Sequence, residues 1–169
     1  VSGVPGSISD VNFRFGGTSC STTSTSTTVG LNHSYTGELV VTLISPSGTA
    51  VKLIDFLTNG FGDNAGNNFC QTVLDDQSGG ASIQSLASAS APYTGAFTPA
   101  SPLSAFNGQQ ANGTWLLRVQ DLAAGDTGTV RNFSLTINNN AATFCQPPAT
   151  IPACGPADVA TEGSLQPFI

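Results

Sequence analysis

Methionine is absent, even at position 1, and the 169 residues include one tryptophan, one histidine and four basic residues, Arg14, Lys52, Arg118 and Arg131. The missing methionine leads us to expect a processed product or an excised domain. Ten acids set the net charge at −6. Four scattered cations cannot form the basic stripe that displaces counterions from nucleic acid, and an anionic membrane surface is disfavoured for the same reason. No run of about 18 apolar residues occurs, so no membrane-spanning helix is expected. There is also no basic-then-apolar leader, as in a secreted chain after processing. The cysteines Cys20, Cys70, Cys145 and Cys154 form no C-x-x-C pair and have a single histidine to join them, which argues against a zinc site. Their even number, beside other secreted traits, favours two disulfides over four free buried thiols. Of the three pairings the chain allows, Cys20–Cys70 with Cys145–Cys154 is favoured, because the second bond would close a short proline-rich loop.

What is present is alternation with period two. Val11, Phe13 and Phe15 share one parity, as do Leu39, Val41 and Leu43. Trp115, Leu117 and Val119 repeat the pattern, as do Phe133, Leu135 and Ile137. Successive strand side chains point to opposite faces, so such runs read as half-buried strands. Glycine-containing turns such as 46–48, 78–80, 107–108, 112–113 and 125–126 interrupt them. Strands are expected near 8–15, 27–34, 38–45, 50–56, 69–75, 81–86, 114–121 and 129–138, with 81–91 ambiguous between strand and helical turn. About eight short strands suit an all-β, jelly-roll-like β-sandwich of two antiparallel sheets. That sandwich would occupy residues 1–141, and 142–169 read as a proline-rich tail or linker. The Ser/Thr-rich stretch 18–28 reads as a solvated hairpin loop or polar edge strand, with a weak signal for O-glycosylation. Asn32, Asn112 and Asn132 each begin an N-x-S/T triplet.

Glu38, Asp55, Asp63, Asp75, Asp76, Asp121 and Asp126 fall at expected strand ends or glycine-rich turns. Carboxylates held close together either raise their pKa or require a cation, and calcium takes six to eight oxygens from bendable backbone. A calcium site is therefore expected from Asp76, Asp121 and Asp126, with Glu38 and Asp75 as further ligands. Local turn bonds to backbone amides are the simpler alternative. His33 shares parity with Leu31 and Tyr35, which favours a hydrogen-bonded structural role over a base in a Ser-His-Asp set. No G-x-S-x-G elbow is present, so no catalytic residue is assigned. Two acids facing across a cleft, as glycoside hydrolysis needs, are not specified either. Trp115 reads as core, whereas Phe61 and Tyr93 fall in expected loops and are the candidates for ligand contact.

One stretch is more specific than composition. Asn32, His33, Ser34, Tyr35, Thr36, Gly37, Glu38 and Leu39 lead into Leu43, Ile44, Ser45, Pro46, Ser47, Gly48 and Thr49. This resembles the signature of the P domain (Homo B domain) of proprotein convertases, written H-T-Y, D-L and L-x-S-P-S-G-T. Thr72 to Asp76, Pro99 to Phe106 with Gly113, Thr114 and Trp115, and Asp121 with Gly125 to Gly128 resemble later motifs of that family. The resemblance is collinear over about residues 8–138. It departs at Ser34, where the family has Thr, and at Glu38, where it has Asp. The resemblance implies a sandwich that follows a subtilisin-like catalytic domain, stabilises it and affects its calcium and pH dependence. The expected function is thus a non-catalytic accessory domain of a secreted serine protease, with calcium as its cofactor. The competing expectation is a calcium-dependent module that targets a secreted exoenzyme to a polymeric extracellular substrate, either carbohydrate or protein. A structural spacer is a third.

Overall fold

The computed structural model describes residues 1–57 and 64–140. Among these the chain forms nine strands and no α-helix. They are β1 (Ser7–Phe15), β2 (Leu31–His33), β3 (Leu39–Ile44), β4 (Ala50–Asp55), β5 (Phe69–Leu74), β6 (Tyr93–Phe97), β7 (Leu116–Asp121), β8 (Gly128–Val130) and β9 (Phe133–Asn140). One sheet runs β8-β2-β5-β1-β9 with β6 also on β5, and the other runs β4-β3-β7. Every pairing is antiparallel except β5 with β6. The expected β-sandwich is therefore observed.

The alternation in the sequence becomes the core. Phe13, Phe15, Leu39, Val41 and Leu43 are all buried on the facing surfaces of the two sheets. An aromatic row runs through the larger sheet. Phe13 meets Phe15 at 4.8 Å between ring centroids, Phe15 meets Phe69 at 5.5 Å, and Phe69 meets Tyr93 at 5.2 Å. These separations suit edge and offset contacts between rings. Trp115 packs edge-on to Phe106 at 5.0 Å and donates its indole N–H to the Ala111 carbonyl at 2.9 Å, in the core role expected.

Three elements differ from expectation. The segment 81–86 is not a strand. Ser82 accepts the Gln84 N–H on its hydroxyl and starts a 3-10 turn at Ile83–Ser85, and a second such turn follows at Ser88–Ser90. A capping serine offers the backbone this alternative to a ladder. The strand β6 was not anticipated, because Thr94, Gly95 and Ala96 are exposed and leave no alternation to read. The expected single strand 129–138 is broken in two at Arg131 and Asn132, whose N–H groups both donate to the Gly30 carbonyl, at 2.8 and 3.1 Å. Gly30 is required there, since a Cβ would sit 2.7 Å from the Gly16 backbone. No helix among the described residues is long and apolar enough to cross a membrane.

Candidate functional site

The end of the sandwich where β2, β3, β7 and β8 meet collects the most polar chemistry. The strand β2 ends on buried His33, and β8 begins at Gly128 directly opposite it. A Cβ on Gly128 would lie 2.4 Å from the Asn32 carbonyl oxygen and 2.6 Å from His33 Cδ2, so glycine lets β8 close over the imidazole. The Tyr35 N–H donates to His33 Nδ1 at 3.0 Å, and Nε2 lies 3.1 Å from Asp121 Oδ2. With Nδ1 accepting, the neutral ring carries its proton on Nε2 and donates it to Asp121. The His33 N–H in turn donates to Asn68 Oδ1 at 3.0 Å. The ring is thus fixed by partners at positions 35 and 121, far apart in sequence.

This arrangement decides the hydrolytic alternative. A triad histidine needs one nitrogen for its orienting carboxylate and the other for the nucleophile. In His33 the second nitrogen is held by a backbone amide, so no serine hydroxyl can use it.

The acids divide into two groups. Asp121 closes β7 opposite Leu39 and also accepts the Ala123 N–H at 3.2 Å. Asp126 accepts the Ser34 hydroxyl. Glu38 is buried in the 3-10 turn Thr36–Glu38, and its carbonyl accepts the Leu122 N–H at 3.1 Å. Asp75 and Asp76 lie elsewhere. Phe69 meets β2 at one end of β5 and these acids follow the other end, about 20 Å away at 3.3 Å per residue. Asp76 accepts the Leu103 and Ser104 N–H groups, each at 2.8 Å, and so holds the start of the 3-10 turn Leu103–Phe106. Asp75 accepts the Gln77 N–H at 2.7 Å. The expected five-carboxylate shell of Asp76, Asp121, Asp126, Glu38 and Asp75 is therefore corrected, because the length of β5 separates its members. Among the described residues no three His, Cys, Asp or Glu side chains gather to hold a metal.

A cavity of about 210 Å³ lies beside the His33–Asp121 pair, between Leu31, Leu39, Val119 and Val130. It is the inner end of a longer open flank. The strand β7 is an edge of the small sheet; in the large one β6 runs along one side of β5, β2 and β1 follow one another along its other side, and β8 and β9, paired to β2 and β1, form the edge beyond them. Their inward residues Leu117, Val119, Val130, Leu135 and Ile137 are only partly buried, although they pack against the core. Phe133, Leu116 and Leu122 are exposed at 45%, 55% and 57%.

Tyr93 corrects a second expectation. It is fully buried on β6, with its hydroxyl donating to Asn64 Oδ1 at 2.6 Å, so it offers no face to a sugar. Burial pushes its pKa above the usual 10.0, and hydrogen bonds with Thr36 and Asn64 pull the other way. Tyr93 reads as a loop residue because its partner strand β5 lies some twenty residues earlier. Cys20 and Cys70 form the expected disulfide. Phe61, Cys145, Cys154 and the proposed tail 142–169 lie outside the described residues.

The family model described as proprotein convertase P-domain matches residues 22–137. No solved structure matches the chain.

Proposed function

The chain belongs to the proprotein convertase P-domain family, and from that premise we propose that it is the accessory domain of a secreted subtilisin-like protease, docked by its β7–β9 flank. The observation that carries this reading is the flank itself. An edge with partly buried Leu117, Val119, Leu135 and Ile137, and exposed Leu116, Leu122 and Phe133, is apolar surface that a second domain would cover. The mechanism is thermodynamic. A domain that binds only the folded catalytic domain stabilises it by mass action, by about 2.7 kcal/mol when its effective concentration is 100-fold above Kd. Covalent linkage supplies effective concentrations of about a millimolar for short linkers. The Cys20–Cys70 disulfide fits an oxidising, extracytoplasmic setting.

Calcium remains part of the proposal only at the rim where Asp121 and Asp126 both reach toward β2, through His33 and Ser34. Its support is the resemblance together with this pair of carboxylates. A fall in the chain's Tm in excess chelator, restored by calcium, is the expected result, and an unchanged Tm removes calcium from the account. The alternative targeting module is less well supported, because among the described residues Phe133 is the only exposed aromatic and Tyr93 is buried. The test of the main reading is to express the catalytic domain with and without this chain. The joined form should melt higher, and equal melting temperatures would reject the proposal.

A further inference from the structure

The outer face of the six-stranded sheet is polarised. Asp10, Asn12 and Arg14 share one parity of β1, opposite to that of the buried Val11, Phe13 and Phe15. At one end, Asn138 donates to Asp10 at 3.1 Å, and Asp75 lies beside the same group. With their amides oriented to donate, Gln77 reaches both Asp10 and Asp75 at 3.0 Å, and Asn12 reaches Asp75 at 3.1 Å. Both acids are thus supplied with neutral donors. At the other end, Arg14 and Arg131 line one groove of about 410 Å³. Neither guanidinium makes an ion pair among the described residues, where the ion pairs are His33–Asp121 and Lys52–Asp55.

The groove is arranged rather than merely charged. Arg131 Nε donates to the Ser26 carbonyl at 3.2 Å and to Asn32 Oδ1 at 3.1 Å, which fixes the plane of the guanidinium and leaves its two terminal nitrogens to donate. Arg14 is held on β1 between Val73 and Ser134. Thr18 and Thr27 add hydroxyls to the lining, and the floor at Gly16 and Gly17 carries no side chain. A planar fork of donors with a second guanidinium in the same groove matches a carboxylate. Two features narrow the ligand further. The lining contains no aromatic ring, so it has no platform for stacking a sugar or a base. The chain's net charge of −6 opposes polyanions at long range.

We infer that the Arg14–Arg131 groove is a recognition site for a single side-chain carboxylate on a polypeptide segment of low overall charge. This site lies on the outer face of the large sheet; Arg131, at the break between β8 and β9, borders the flank assigned to domain docking, whereas Arg14 on β1 lies outside it. The test is titration of the whole chain with an end-blocked peptide carrying one Glu among Gly and Ser residues, followed by calorimetry and by NMR of the arginine Nε–H signals. Binding should weaken as salt rises. Arg14→Gln and Arg131→Lys should each weaken it by roughly tenfold, the second because lysine keeps the charge but loses the fork. The Arg14 side chain makes no hydrogen bond among the described residues, so Arg14→Gln should leave Tm unchanged and keeps the test valid if Arg131→Lys is unstable. Absence of binding at millimolar peptide, or binding indifferent to Arg14→Gln, would overturn the assignment. Binding of free glutamate or of a polyuronate without binding of the peptide would overturn the polypeptide source.

Discussion

The two flanks of the sandwich are built in opposite ways. On the β4–β6 side the chain closes its own edges. Gln84 acts as a one-residue strand against β4, accepting the Asp55 N–H at 3.0 Å and donating to the Asp55 carbonyl at 2.7 Å. The Ala100 and Ser101 N–H groups donate to the Leu53 and Lys52 carbonyls, each at 2.9 Å, and Ser82 bridges Thr98. On the β7–β9 side no such strap is found among the described residues, and the inward apolar side chains stay half-covered. Exposed edges invite pairing and association, and proteins usually cover or charge them. A chain that covers one edge and leaves the other apolar separates a face for stability from a face for contact.

The contrast can be tested by substitution, starting where the effect should be largest. Tyr93→Ala on the closed side removes a fully buried ring tilted against Phe69 and should cost about 3–5 kcal/mol. Chemical denaturation would measure it, and a loss under 1 kcal/mol would mean that β6 does not close that flank. His33→Ala should cost about 2–3 kcal/mol, because it strips partners from the Tyr35 N–H and from Asp121 at the inner end of the open side. Gln84→Ala should cost about 1–2 kcal/mol and raise amide exchange at Asp55 above that of β3.

These expectations also mark what could be read in advance. β1, β3, β7 and the body of β9 were legible because each repeats apolar residues at period two, and a buried face demands that repeat. Cysteine number and context pointed to disulfides, and the Cys20–Cys70 pairing followed from the short proline-rich loop that Cys145 and Cys154 would close. The break between β8 and β9 was not, because its cause is the Gly30 carbonyl a hundred residues earlier. The acids misled for a related reason. Spacing places carboxylates at strand ends, but which end of the sandwich each reaches depends on strand order. Asp76 proved to be a turn anchor and Asp121 a histidine partner. His33 itself could be read as structural from its parity, but its two ring partners could not be identified from sequence.

A smaller effect should appear at high pH on the closed side alone. Burial raises the Tyr93 pKa, so above pH 10 the unfolded chain releases this proton while the folded one retains it. Fewer protons bound in the unfolded state means that stability falls as pH rises. Tyr93→Phe should flatten that decline in thermal melts between pH 9 and 11, relative to its own neutral-pH value, and an unaltered slope would assign the decline to other groups. The smallest effect on the isolated chain should come from the open side. Leu116→Ser and Leu122→Ser replace exposed side chains and should each change stability by about 0.5 kcal/mol or less, and Phe133→Ser, which also removes a ring stacked on Phe13 at 5.9 Å, by about 1 kcal/mol.

That last set gives the most direct test of the account. The Tm of a subtilisin-like catalytic domain joined to the triple variant should be compared with that of the same domain joined to the unaltered chain. The account predicts that the catalytic domain loses the added stability while the fold of the variant itself is unchanged. Equal protection by both forms would show that the β7–β9 flank is not the contact face.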